Sequence, residues 1–250
     1  MELTSLVDAA HRLSERDPLM ARFLEAYGVP VVGRRGFDPG RLEAPGEVGL
    51  FGFVVEVVTY QQISAAAARR LVARLEAMGA LDADVMVALT DAEVAATGLS
   101  GSKRRWLRAL ARDVVTGTID LEGLRALSPD EAHRALRAIR GIGPWSADMV
   151  AIFALGHLDV WPIGDLALRR ALARRHPGAE DRGVAERLAE PWAPWRSVAA
   201  LWWWQDDACG AASVLEQPLH DREVNPAREL AADLALDADE LEPRSRMQRP

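Results

Sequence analysis

The chain has a single cysteine, Cys209, in 250 residues. One thiol cannot build a disulfide framework or a four-cysteine metal or cluster site, and a reducing compartment fits such usage. A cytoplasmic location is the expectation. Aromatic residues other than tryptophan are scarce, with two tyrosines and five phenylalanines. No apolar run approaches the roughly 20 residues of a membrane-spanning helix. The first seventeen residues are amphipathic and mixed in charge, so neither a signal peptide nor an anchor is expected there. Positive charge is not in excess either. The formal net charge of −7 argues against a simple basic DNA-binding module.

What is abundant is alanine, leucine and arginine, a composition that favours helices. The length suits one sizeable domain or two small intimate lobes. Cations gather locally: Lys103, Arg104, Arg105, Arg108 and Arg112 on one expected helix, Arg134, Arg137 and Arg140 further on, then Arg169, Arg170, Arg174 and Arg175. Glycine and proline between 28 and 48 predict an extended loop. Residues 50–60 are β-branched enough to pass for a buried strand, but the alanine-rich continuation favours a buried helix. Ser64 reads as the N-cap of a helix from Ala65 to Met78, and Ser128 as the cap of another from Asp130 to Ile139. A helix from Pro226 to Leu236 and a disordered end at 238–250 complete the expectation.

The chain is organised around Leu136 to Leu172. A helix ends at Arg140, Gly141-Ile142-Gly143-Pro144 makes a tight turn, and an apolar helix follows from Trp145 to about Leu155. Glycines at 141 and 143 permit positive φ and close backbone approach, and Pro144 suits a first helical turn. The N–H groups of such a turn form an anion site able to grip a nucleic-acid backbone without reading its sequence. Taken alone, the same glycines would also make an ordinary corner between helices. Asp165 opens the next helix, where it would serve as an N-cap.

Ile139 to Val150 with Val160 to Leu172 resembles the helix-hairpin-helix and catalytic loop of the DNA glycosylase superfamily, closest to the 3-methyladenine DNA glycosylase II (AlkA-type) family. The resemblance covers about Phe51 to Trp204. It implies an all-α, two-lobed fold with a cleft between the lobes, without the N-terminal β lobe of some members. Residues 51–164 would form the central lobe, with the hairpin at about 136–155, and 1–50 plus 165–250 the terminal lobe. It further implies a monomer whose partner is double-stranded DNA carrying damaged bases, with no redox cofactor or catalytic metal. A monovalent cation on the hairpin carbonyls is an open possibility.

The implied reaction is hydrolytic release of a flipped base, which passes through a cationic sugar. By resemblance Asp165 supplies the negative charge. A carboxylate about 4 Å from that cation is worth roughly 4 kcal/mol at an effective dielectric of about 20. Asp148 and Asp159 are the fallback acids. Trp145 stands where strand-cutting relatives carry a Schiff-base lysine, so the expected enzyme is monofunctional and leaves an abasic site. Trp145, Met149 and Trp204 would line the base pocket. Gln61, Gln62, Ser64, Lys103, Arg140, Gly141, Ile142, Gly143 and Ser146 would contact DNA, with Gln62 filling the gap left by the base. Two departures from the family pattern are Gly164, where an acid is frequent, and Met149, where bacterial members often have tyrosine. Oxidised or deaminated bases as substrates, and a non-catalytic DNA-binding protein, are the alternative readings.

Overall fold

The computed structural model describes residues 5–30 and 49–209, and among these every regular element is helical. The expected loop beyond residue 30 and the expected helix and disordered end after Pro218 lie outside the described residues. The helices are α1 (Leu6–Arg16), α2 (Pro18–Tyr27), α3 (Leu50–Tyr60), α4 (Ala65–Ala77), α5 (Ala83–Ala88), α6 (Asp91–Ala96), α7 (Gly101–Val115), α8 (Pro129–Ala138), α9 (Pro144–Phe153), α10 (Leu166–Arg175), α11 (Arg182–Ala189) and α12 (Arg196–Cys209).

Their starts are written in the sequence. Ser5, Asp17, Ser64, Asp82, Thr90, Ser100, Ser128, Asp165 and Asp181 each accept a backbone N–H of the helix that follows. Each cap satisfies a donor that the helix leaves unpaired, worth typically about 1 kcal/mol. Helix α9 differs: its N-cap is Gly143 and no side chain closes it.

Residues 50–60, ambiguous by periodicity, form α3, which is buried from Leu50 through Thr59. An element that is apolar on nearly every side, with Glu56 its one charged residue, has no solvent face to show. Its one interior hydroxyl, Thr59 Oγ1, donates to Val55 O at 2.7 Å. Helix α3 packs against α4, α7 and α9, whereas α12 packs against α1, α2 and α10. Two groups of helices result, one central in sequence and one drawn from both ends of the described chain.

Helix α12 fills the second group with tryptophan. Consecutive side chains on a helix diverge by about 100°, so Trp202, Trp203 and Trp204 face three directions, and all three are buried. Trp202 Nε1 donates to Gly28 O at 3.0 Å. Trp203 meets Phe23 and His176 edge-on. Trp204 points the other way, toward α9 and the start of α10. Trp192 and Trp195 precede α12 and are buried as well.

Candidate functional site

The two groups of helices meet at Asp165. As N-cap of α10 it accepts Leu168 N on Oδ1 at 2.8 Å. Trp204 Nε1 donates to the same oxygen at 3.1 Å, and Trp145 Nε1 donates to Oδ2 at 2.8 Å. One carboxylate is therefore gripped from α9, α10 and α12 while staying partly exposed. Three directed N–H donors fix its plane and position, so little reorganisation is left for a reaction to supply. The N-cap expected of Asp165 is observed.

Trp145 and Trp204, expected as pocket walls, both touch this carboxylate through their indole N–H. Trp204 also stacks on Phe153, with centroids 5.7 Å apart and 26° between the rings. Phe153 was not anticipated, although its place eight residues after Trp145 on the apolar helix was the available signal. Met149 is a correction: it is fully buried and offers no accessible wall. Gly164 lies against Trp145, whose Cβ would sit 3.5 Å from a side chain added there.

The fallback acids are both engaged. Asp159 takes Arg196 through two guanidinium nitrogens, at 2.7 and 2.8 Å. Asp148 pairs with His133 Nε2 at 3.0 Å across α8 and α9. Burial pushes the Asp148 carboxyl up to about 6, with the His133 contact opposing the shift.

The hairpin's two glycines do different work. Gly141 has φ +93°, and a Cβ there would stand 2.7 Å from the Trp106 ring. Gly143 does not use the positive φ open to it and is extended at φ −88°. A Cβ on Gly143 would meet nothing within 4 Å. Exposed and uncapped, the start of α9 is open to an approaching anion. Ile142 and Ser146 turn inward instead. Ile142 is buried and its N–H donates to Ile139 O at 3.1 Å. Ser146 is buried with its hydroxyl accepting from Gln61 Nε2 at 2.8 Å. Both hold the hairpin in place; neither side chain faces outward to a phosphate.

Gln61 links the hairpin to the turn after α3, since the same Nε2 also donates to Gly141 O at 2.8 Å. A cation on the hairpin carbonyls would have to share that oxygen with Gln61. Lys103 is a further correction among the expected DNA contacts. Its ammonium points inward, donating to Thr59 O at 2.9 Å and Gln61 O at 2.6 Å. The end of α3 leaves carbonyls without helical partners, and a cation there satisfies them. Burial lowers the Lys103 pKa.

Between these anchors the turn carries Gln62 at φ +58°, the one non-glycine residue with positive φ among the described residues. Left-handed backbone at a non-glycine residue costs of order 1–3 kcal/mol. Gln62 is exposed at the tip, and Ser64, also exposed, caps α4 through Ala67 N at 3.3 Å. Arg140 is exposed beside the hairpin. Among the described residues no three histidine, cysteine, aspartate or glutamate side chains gather so as to hold a metal ion. None of their helices is long and apolar enough to cross a membrane.

Residues 55–194 match the model of the HhH-GPD superfamily base excision DNA repair proteins. DNA-3-methyladenine glycosylase 1 of Schizosaccharomyces pombe is 28% identical over 210 residues, covering 81% of this chain and 88% of that protein. A Mycobacterium tuberculosis protein named as a probable bifunctional transcriptional activator/DNA repair enzyme is also 28% identical, over 219 residues. There the match covers 81% of this chain but 43% of the relative, and for a Bacillus subtilis relative it covers 34%. Among solved structures, the S. pombe 3-methyladenine DNA glycosylase in complex with abasic DNA superposes with a TM-score of 0.68 at 24% identity. That superposition covers 79% of this chain and 95% of the other.

Proposed function

The chain belongs to the HhH-GPD superfamily of base excision DNA repair proteins, and from that premise we propose that it is a monofunctional DNA glycosylase releasing alkylated bases from duplex DNA. The observation that carries the reading is the Asp165 carboxylate, held by two indole N–H groups where the two groups of helices meet. Breaking a C1′–N bond develops positive charge on the sugar, and a preorganised carboxylate beside it lowers the barrier. The same carboxylate is positioned to orient or deprotonate the attacking water.

The remaining parts have matching roles. The uncapped start of α9 grips a phosphate, and Gln62 enters the stack where the base has left, offsetting the cost of unstacking. Trp145 lacks an amine and forms no Schiff base, so the product is an intact abasic site. The Trp204–Phe153 stack supplies an aromatic surface for a cationic base such as 3-methyladenine or 7-methylguanine, worth about 1–2 kcal/mol when desolvated. The names of the relatives support this substrate class over oxidised or deaminated bases. Hydrolysis of this kind calls on no redox cofactor, and we assign the working form to a monomer on damaged duplex DNA.

The test is release of 3-methyladenine and 7-methylguanine from methylated duplex DNA by the wild type and by Asp165→Asn. Release that falls about 10³-fold in the variant, from a loss of roughly 4 kcal/mol, supports enzyme and acid together. Unchanged release in the variant removes Asp165 from the role. Absence of release by the wild type, across oxidised and deaminated bases too, leaves a DNA-binding protein. Borohydride trapping of an enzyme–DNA adduct would contradict the monofunctional assignment.

A further inference from the structure

Helix α7 carries a concentration of charge that the glycosylase reading leaves unused. A cleft of about 500 Å³ is lined by Arg104, Arg105, Arg108, Arg112 and Arg140, with Asp91 as its one acid. In a chain of net charge −7 this is a local reversal of sign. Arg104, Arg108 and Arg112 follow one another at intervals of four, the spacing at which like charges on a helix repel.

The start of α7 makes the arrangement costlier still. The first turn holds no acidic residue, and Ser100 is the cap. The guanidinium groups of Arg105 and Arg104 come within 3.4 and 3.8 Å of one point, where a Cβ on Gly101 would stand. Two cations at the positive end of a helix dipole are electrostatically misplaced unless an anion joins them. Among the described residues only Arg108 is neutralised, by Asp91 at 3.2 Å, while it also donates to Leu89 O at 2.5 Å. It acts as a fixed strut beneath the others.

The cleft adjoins the hairpin. Arg140 lines it and directly precedes Gly141, against which the α7 residue Trp106 packs. We propose that this cleft binds the phosphodiester backbone of the DNA beside the hairpin contact, as a second, sequence-independent phosphate site. The proposal rests on the reading of the protein as a DNA glycosylase, and it names where the affinity of an acidic chain for DNA originates. Planar guanidinium forks suit phosphate oxygens, and each phosphate neutralised releases counterions, so the site has a salt signature.

The experiment is fluorescence anisotropy of a labelled duplex containing an abasic-site analogue, titrated at several salt concentrations. It compares wild type, Arg104→Gln/Arg105→Gln, Arg112→Gln and the control Arg12→Gln, an exposed residue of α1. The double variant is expected to bind about tenfold more weakly and to lose about 2 from the slope of log K against log salt, given roughly 0.9 per phosphate. Arg112→Gln loses about 1, and Arg12→Gln matches wild type. Equal melting temperatures exclude a folding effect. An unchanged slope in folded double variant overturns the proposal, as does an equal loss in the control; an acidic protein as the true ligand would give the first result. Base release by the wild type is read in parallel. Release with an unchanged slope removes the cleft alone, whereas a reduced slope without release keeps the cleft and removes the glycosylase reading.

Discussion

Trp145 and Asp165 lie twenty residues apart in the chain, yet the indole N–H of the first meets the carboxylate of the second at 2.8 Å. The indole therefore orients the carboxylate. A side chain that has no amine and clamps the carboxylate fits the monofunctional reading proposed above.

Trp145→Phe keeps a ring and removes the donor. A hydrogen bond to a charged group is worth about 1.5–3 kcal/mol, so single-turnover base release is expected to fall about 10- to 100-fold. Trp204→Phe is expected to act in the same direction, by less, because Leu168 N still holds Oδ1. Rates equal to wild type in both variants would show that the clamp is irrelevant to turnover.

The two hairpin glycines separate stability from binding. Gly141→Ala forces a Cβ onto Trp106 at a positive φ and is expected to lower stability by at least about 1–3 kcal/mol. Gly143→Ala meets no protein atom, so the melting temperature should hold while the new methyl obstructs the approach of a phosphate. DNA affinity that survives Gly143→Ala would move the backbone grip away from this turn.

Lys103→Met leaves Thr59 O and Gln61 O without their cation and loosens the turn beneath Gln62. Stability is expected to drop by about 2–3 kcal/mol in chemical denaturation. Gln62→Ala should leave stability unchanged, because the side chain is exposed and alanine carries the same left-handed backbone cost, but weaken base flipping read with 2-aminopurine. A Gln62→Ala protein that flips as well as wild type would exclude the wedge role.

Asp148 gives a pH dependence of defined sign. The ordinary carboxyl value is 3.8 and burial raises it to about 6 in the folded chain. Between those values the unfolded chain has released a proton that the folded chain retains. The contribution of Asp148 to stability is thus full below about 4, falls as pH rises to about 6, and is level above that. Subtracting the melting curve of Asp148→Asn from that of wild type across pH 4–7 should isolate this decline. A difference that is flat, or that rises with pH, would contradict the burial of the carboxyl.

The sequence by itself determined the elements and the chemistry available to them. Ser64, Ser128 and Asp165 announced helix starts because a cap is a local hydrogen bond between residues three apart. The hairpin was legible from Gly141 to Pro144 because a turn's backbone needs are met by its own residues. The extended Gly143 shows that glycine permits a conformation without requiring it.

Tertiary structure alone decided which polar groups were left to face outward. Lys103, Ser146 and Ile142 looked available for DNA; the first two are taken up by partners elsewhere in the fold, and the third is buried. Sequence spacing cannot reveal that Thr59 and Gln61 end a buried helix beside Lys103, forty-two residues or more along the chain. Nor can it reveal that Trp145 and Trp204 converge on Asp165 from separate helices. Local rules act within a turn or two of backbone, whereas a site is assembled by packing, and packing sets the direction in which each donor points.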